Sequence, residues 1–399
     1  MKKLVIFSKT IPDYTMGGNG NILFHLLKNL NKDFKKVEII LLKYDNNKIN
    51  NSFKKNFPKI KFKIKSYYVE NLKKNFNFRF NINPIKRSFE SILDLYFYKI
   101  IVSQNLDLIK NSNKIISFGL EWALSIPKIN NDHYCILNDP PQLIYYEKNK
   151  GKSNILDKLK LKLRVFFFEV YQRIILKRLN QFIRFGTFPY QHYLEYKKFI
   201  KDIKLLPYFT KKNFFIKKNI NTKKLNFIHI GSLETSASKL MMNKFFLNIN
   251  QFERYKIPIN LFIIGKVKKK QTIKYSNRIK IHFLGHGNEK KINRVIKKMD
   301  FGFCPMNYGI GIRTRILTLM SYGIPVIVDN LSLLGFENKI INNDFFLNLE
   351  ERDNFHKNFK YIISDNVKYK KLRKNSYDAW SRNFEPVKNN KILSKVIFK

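Results

Sequence analysis

Short apolar runs alternate with longer amphipathic stretches along this chain, and the alternation starts over once near the middle. In the first half, residues 4–8, 37–42, 61–69, 114–118, 134–137 and 182–185 read as strands. Residues 21–30, 88–102 and 157–179 read as helices between them. Such alternation predicts a parallel sheet covered on both faces. A basic, glycine-free stretch, 207–224, reads as a linker. Strands are then predicted at 227–230, 261–264, 279–284, 301–304 and 326–328, with helices at 239–252, at 292–299 and from Arg313 onward. Residues 350–363 and 368–380 read as terminal helices, and no short-period repeat is present. The pattern predicts an α/β fold of two doubly wound domains in tandem. Ligands of such sheets sit beyond the carboxyl ends of the strands.

The segment 301–329 carries the densest chemistry. An apolar run ends at Pro305, and a loop with Gly309 and Gly311 leads into a helical stretch opened by Arg313 and Arg315. Gly323 ends that stretch, and Pro325 introduces the next strand. Glycines let an anion approach backbone N–H groups at a helix start, and arginines add bidentate contacts to phosphate. The competing reading is an ordinary βαβ unit with arginines on a solvated face.

Other candidates lie at strand ends. Gly231-Ser232, Gly265 and Gly285-His286-Gly287 follow three successive strands of the second half, where glycine opens the backbone to a ligand or merely turns the chain. Near the start, Gly17-Gly18-Asn19-Gly20 precedes a helix, but Leu23 stands where a dinucleotide fingerprint needs its third glycine. Asp139, in Asn138-Asp139-Pro140-Pro141, is placed for acid–base work or for turn chemistry. Glu121 is a site carboxylate or a helix-start charge. In the helix at 157–179, Leu159, Leu163, Phe166, Phe167, Val170 and Ile174 share one side, with Lys158, Lys162, Arg164, Arg173, Lys177 and Arg178 mostly elsewhere. The expected use of that apolar side is in the core; the alternative is an anionic lipid surface.

Composition adjusts this picture. The chain has 399 residues, 44% of them hydrophobic, enough for two domains with real cores. Lys and Arg total 77 against 29 acidic residues, a net charge of +48. That excess suggests nucleic acid or an anionic membrane. The basic residues are dispersed, and Lys, Asn, Ile, Phe and Tyr are abundant throughout, as a bias toward A/T-rich codons would produce. Nucleic acid is therefore the weaker partner, and membrane association without a span is expected. The only cysteines, Cys135 and Cys304, each lie in an apolar run and read as buried free thiols. No apolar stretch reaches transmembrane length, and residues 4–7 are too short a run for a signal peptide, so a cytoplasmic protein is expected, either soluble or peripheral on the inner face of the plasma membrane.

Together these motifs resemble the group 1 glycosyltransferases of the GT-B fold. The resemblance is most specific over 227–329, through Gly231-Ser232, Gly265, Phe283-Leu284-Gly285-His286, Cys304-Pro305, the glycine loop and Gly323-Ile324-Pro325-Val326. It implies two Rossmann-like domains, 1–207 on the acceptor side and 208–375 for the nucleotide sugar, with an interdomain cleft. Residues 376–399 would form a terminal crossover helix back onto the first domain, anchored by Trp380 and Phe384. It further implies transfer of a sugar from a nucleoside diphosphate sugar to a glycan or lipid-linked acceptor, with a retaining outcome and no metal. Arg315 takes the place of the family's phosphate-contacting lysine, Gly309 and Gly311 form the diphosphate loop, and Gly285-His286 borders the base pocket. Asp139 falls where active-site or acceptor groups are presented, with Gly17, Gly18 and Glu121 on the same side. Three positions depart from the family pattern. Thr318 replaces the glutamate that contacts the donor ribose, no glutamate stands near Asn307-Tyr308, and Ser232 replaces an arginine, whose charge Lys239 or Lys244 would supply. Two other classes follow from the same residues: a catalytically silent GT-B module binding glycan or protein, and a basic nucleic-acid-binding protein.

Overall fold

A computed structural model describes residues 2–12, 19–30, 34, 36–43, 54–55, 57–68, 96–129, 131–140, 143, 155–216, 218–231, 245–265, 271–285, 287, 289–305, 310–341 and 345–398. The chain divides into two units. The first comprises Met1–Phe188, His192–Pro207 and Asn390–Lys399, and the second Pro189–Gln191 and Tyr208–Asn389.

The first unit is built on a seven-stranded sheet. Its strands are β1 (Lys3–Ser8), β2 (Lys36–Lys43), β3 (Lys61–Tyr68), β4 (Lys114–Phe118), β5 (Asp132–Ile136), β6 (Arg184–Thr187) and β7 (Lys204–Leu205), in the order β3-β2-β1-β4-β5-β6-β7. All its pairings are parallel. Sequence explains the order. Leu4 to Ser8 of β1 and all of β4 are buried, as central parallel strands covered on both faces must be. The Lys-Phe-Lys-Ile-Lys start of β3 alternates, and charged alternation suits an exposed edge. The strand order reverses between β1 and β4, the topological switch point of this sheet.

The second unit repeats the design. Its strands are β8 (Leu225–Ile230), β9 (Ile259–Ile264), β10 (Gln271–Lys274), β11 (Ile279–Gly285), β12 (Phe301–Phe303), β13 (Val326–Val328) and β14 (Phe346–Asn348). They run in the order β10-β11-β9-β8-β12-β13-β14, parallel except for the antiparallel edge pair β10–β11. Its switch point lies between β8 and β12. Its core is aromatic: Phe227 packs against Phe252, Phe301, Phe303 and Phe359. A buried polar network ties the lower end of this sheet together. Asp300 pairs with Lys218 at 2.6 Å and accepts from the Asn226 N–H at 2.7 Å. The Tyr369 hydroxyl donates to the Asp300 carbonyl at 2.9 Å, and Arg373 donates to the Tyr369 oxygen at 2.8 Å.

Both units are the doubly wound, Rossmann-like domains that the alternation predicts, and the structure refines several details. The stretch read as a linker is clamped along the second unit. Asn213 bonds Ser321 at 2.7 Å, the Ile216 N–H donates to the Tyr322 carbonyl at 3.1 Å, and the Ile220 N–H to Asn366 at 2.8 Å. Strand β6 lies two residues later than the apolar run suggests, because its register is set by β5. Strands β7, β10 and β14 and the helix Tyr190–Lys197 escape the sequence reading, being short or polar. Trp380 and Phe384 are buried in the second unit, where the Trp380 indole N–H donates to Thr210 Oγ1 at 2.8 Å. The helix Pro386–Phe398 starts in the second unit and ends in the first.

The largest departure is the helix Ile155–Leu179. Its predicted core face is exposed: Phe166 is 58%, Phe167 66% and Ile174 65% accessible. The side that packs is the one carrying Gln172, Leu176 and Leu179, against Cys135, Leu137, Ile183 and Phe185. Among the described residues no helix is long and apolar enough to cross a membrane.

Candidate functional site

Strand β8 brings His229 to the carboxyl end of the second sheet, beside its switch point. The ring is fully buried among Phe245 and its neighbours. Its Nδ1 lies 2.9 Å from the Phe303 carbonyl oxygen at the end of β12. A carbonyl only accepts, so Nδ1 carries the proton and Nε2 is left as an acceptor. The Arg315 guanidinium meets that acceptor, NH1 to Nε2, at 2.8 Å. Burial first, and then the adjacent Arg315 charge, push the His229 pKa down to about 3. The imidazole is thus neutral and holds the arginine without taking its charge.

Gly231 completes the seat. Its φ of +152° lies where side chains are rarely tolerated, and a Cβ there would stand 2.8 Å from Arg315 Cζ. The missing side chain is the space the guanidinium occupies. Burial lowers the Arg315 pKa. Beside it, the Cys304 thiol is pushed up to about 12 by burial, so it is a thiol and not a thiolate. The arrangement concentrates a cation, held by neutral partners, at the carboxyl edge of a parallel sheet. A partly desolvated cation of this kind attracts an anion far more strongly than one in water.

The glycine loop is braced from two directions. The Gly311 N–H, at a φ of +75°, donates to the Gln191 side-chain oxygen at 3.3 Å. Gly335 lies so close to the 311–312 backbone that a side chain there would collide with it, and its carbonyl accepts from the Tyr190 N–H at 3.2 Å. Arg313 is turned back onto the loop, donating to the Ile310 carbonyl at 2.7 Å, and is the N-cap residue of the helix Thr314–Met320. The Thr318 hydroxyl donates to the Thr314 carbonyl at 3.0 Å. Behind the loop, buried Asp329 accepts from the Ser332 N–H at 2.9 Å, and Ser332 Oγ donates to the Cys304 carbonyl at 2.6 Å. Gly265 and Gly285 share a backbone bond of 3.1 Å at the ends of β9 and β11. Ser232, Lys239, Lys244, His286 and Gly309 lie outside the described residues.

A second cluster lies at the switch point of the first sheet. Lys9, just past β1, pairs with Glu121 at 3.7 Å. Gly119, at a φ of +110°, leaves room for that carboxylate, since a Cβ would stand 2.6 Å from Glu121 Oε2. Asp139, past β5, is exposed and sits 3.6 Å from the buried His192. Gly17 and Gly18 lie outside the described residues. Among the described residues no group of His, Cys, Asp and Glu side chains is gathered as metal ligands.

The sequence reading names Arg315, Gly231 and Gly311 as candidates; it does not name His229, Gln191, His192 and Gly335, which the structure sets against them or against Asp139. The signal for His229 was present: a histidine within the apolar run 227–230, two residues before a strand-end glycine.

Comparison with known proteins bears on this geometry. Residues 210–379 match the family model for glycosyl transferases group 1. Compared with curated proteins by sequence, the chain finds no match. Among solved structures it is similar over almost its whole length to sucrose-phosphate synthase from Thermosynechococcus elongatus, with a TM-score of 0.65, 11% identity, and 99% of this chain and 98% of that one covered. A glycosyltransferase from Rickettsia africae gives a TM-score of 0.57 at 13% identity, covering 100% and 99%. Anabaena HepE in complex with UDP-glucose gives 0.57 at 12%, covering 99% of each chain. At such identities the structural likeness speaks for the fold, while the sequence match speaks for the half that carries Arg315. Residues 210–379 thus form a group 1 glycosyl transferase domain, and the chain that carries them has the two-domain fold of the GT-B glycosyltransferases.

Proposed function

We propose that this glycosyltransferase moves a hexose or related sugar from a nucleoside diphosphate sugar to a hydroxyl of a glycan or lipid-linked acceptor in cell-surface polysaccharide synthesis. The observation that carries the reading is the Arg315 guanidinium seated on neutral His229 at the switch point of the second sheet. Charge grows on the leaving diphosphate as the sugar–phosphate bond breaks. A preorganised cation aimed at that charge stabilises the transition state more than the ground state. Gly309 and Gly311 let the diphosphate close on the loop backbone, the Gly311 N–H trading the Gln191 oxygen for a phosphate oxygen, with Gly231, Ser232, Lys239 and Arg313 around it. Gly265, Gly285 and His286 border the nucleoside, and Thr318 stands at the ribose. The UDP-glucose in the Anabaena structure supports a sugar nucleotide as donor.

In the first domain, Asp139, Glu121, Gly17 and Gly18 serve the acceptor. Configuration is retained, with an oxygen of the leaving diphosphate taking the acceptor proton, and no metal is required. The work is done in the cytoplasm at the inner face of the plasma membrane.

Thermal shifts with UDP-, GDP-, ADP- and CMP-sugars test the reading. A ligand at a hundredfold excess over its Kd stabilises by about 2.7 kcal/mol. One nucleotide class should raise Tm in the wild type and not in Arg315→Ala. If no class does so, or if the shift is unchanged in the variant, the assignment of this site is wrong.

A further inference from the structure

The helix Ile155–Leu179 spans 25 residues, about 37 Å at the usual rise. Leu156, Leu159, Leu163, Phe166, Phe167, Val170, Tyr171 and Ile174 are all exposed. At about 100° per residue they fall within an arc of about 140°. The side chains that pack inward, Gln172, Leu176 and Leu179 with half-buried Val165 and Ile175, lie on the opposite side of the helix. The stripe is continuous, aromatic at its centre and turned away from its own domain. Soluble proteins rarely leave such an apolar surface uncovered.

Charge indicates what covers it. The helix carries seven basic residues against two acidic ones. Exposed Lys162 and Arg173 border one edge of the stripe, and exposed Lys177 and Arg178 flank its C-terminal end on either side. Cations bordering a Phe-centred apolar face match an anionic bilayer surface, with rings among the acyl chains and ammonium or guanidinium groups at the phosphates. A second copy of the chain would instead bring the same cations together, within molecules that each carry +48. We infer that the helix Ile155–Leu179 lies flat on an anionic membrane surface and holds the protein there through Phe166, Phe167, Ile174 and the flanking basic residues. The inference locates the membrane attachment in the first domain and stands apart from catalysis, since it needs neither donor nor acceptor.

Co-sedimentation of the full chain with vesicles, without any sugar nucleotide, tests it. Phosphatidylcholine vesicles containing phosphatidylglycerol should bind the wild type at low salt, and phosphatidylcholine alone should bind it weakly. Phe166→Ser with Phe167→Ser should weaken binding to acidic vesicles by at least about tenfold, through lost apolar burial. Lys177→Gln with Arg178→Gln should weaken it by roughly tenfold, through lost charge. Both pairs are exposed, so Tm should stay within a degree or two of wild type, which separates lost binding from lost folding. Equal binding to neutral and acidic vesicles, binding unchanged in the Phe pair, or no binding at low salt would overturn the inference. So would a wild-type dimer in sedimentation velocity that the Phe pair converts to monomer without any vesicle binding.

Discussion

The two sheets carry charge at their switch points in opposite ways. In the second, a cation is sunk beside β8, seated on a neutral histidine and fitted into the space of Gly231. In the first, the Lys9–Glu121 pair is half-exposed and 3.7 Å apart, with the carboxylate beside Gly119. Each has a strand-end glycine at positive φ whose missing side chain admits a charged group. The difference is desolvation. A partly desolvated cation with no carboxylate partner among the described residues is costly to hold and correspondingly strong toward an anion, whereas an exposed ion pair is worth at most about 1 kcal/mol. On the proposed function, the second sheet presents its cation to a negative ligand, while the first holds a solvent-screened ion pair.

The largest expected difference between the two domains is in acid. His25 and His133 in the first unit are pushed down to about 4 and about 3, chiefly by burial, and His229 in the second to about 3. Below the unfolded value of 6.5, the unfolded chain takes up protons that these folded histidines refuse. Stability therefore falls as pH drops from about 6.5 toward the folded values. Each group contributes up to about 1.4 kcal/mol per pH unit, so between pH 6.5 and 5 the two in the first domain should cost about 3 kcal/mol and His229 about half as much, to which the downward shifts of the partly buried His282 and His356 add a smaller loss in the second. The chain has two tryptophans, buried Trp122 in the first unit and Trp380 in the second. Urea titrations of Trp122→Phe and Trp380→Phe, followed by fluorescence, report each domain separately. Equal acid sensitivity in the two would break the contrast.

Next in size is Arg315→Ala, which should cost about 2–4 kcal/mol of barrier, the range seen when a preorganised electrostatic donor is lost. Turnover is measured with whichever sugar nucleotide most stabilises the wild type. Activity within a few fold of wild type would remove Arg315 from the mechanism.

Gly231→Ala against Gly119→Ala sharpens the comparison at a single added carbon. Both substitutions strain the backbone by about 1–3 kcal/mol. Only Gly231→Ala should also evict the guanidinium, so it should abolish the ligand-induced rise in Tm while Gly119→Ala retains it. The opposite result would reverse the roles of the two glycines.

A smaller effect is expected at His229. Phe in its place removes the acceptor for Arg315, and donor KM should rise with roughly 1–2 kcal/mol of lost hydrogen bonding to a charged group. Gln keeps an acceptor and should recover part of the loss. If Phe and Gln behave alike, His229 only fills space. The smallest effect belongs to Lys9→Ala, which should change stability by less than about 1 kcal/mol and leave donor binding untouched. A larger loss in a chemical denaturation curve would mean that the first switch point is more tightly built than its exposure suggests.

Much of the architecture could be read from the chain because its cause is local. A parallel strand buried on both faces must be apolar throughout, so Leu4 to Phe7, Leu261 to Ile264 and Val326 to Val328 announce themselves. The seating of Arg315 against strand-end Gly231 is legible for the same reason, since few other residues let backbone and guanidinium approach so closely. Three things were decided only by tertiary structure. Arg315 reaches His229 across 86 residues, a contact between the start of the helix Thr314–Met320 and the end of β8, which spacing along the chain cannot show. Lys211 to Lys224 read as a tether because it is polar and irregular, yet its bonds to Ser321, Tyr322 and Asn366 lie far away in sequence. The helix Ile155–Leu179 has apolar residues on more than one side, and periodicity picked the broader side for the core. The sheet instead accepted Leu176 and Leu179, because the surface presented by Cys135, Leu137 and Phe185 fits that side. An apolar stripe specifies that something must cover it; which surface does so is settled by the shape of what it meets.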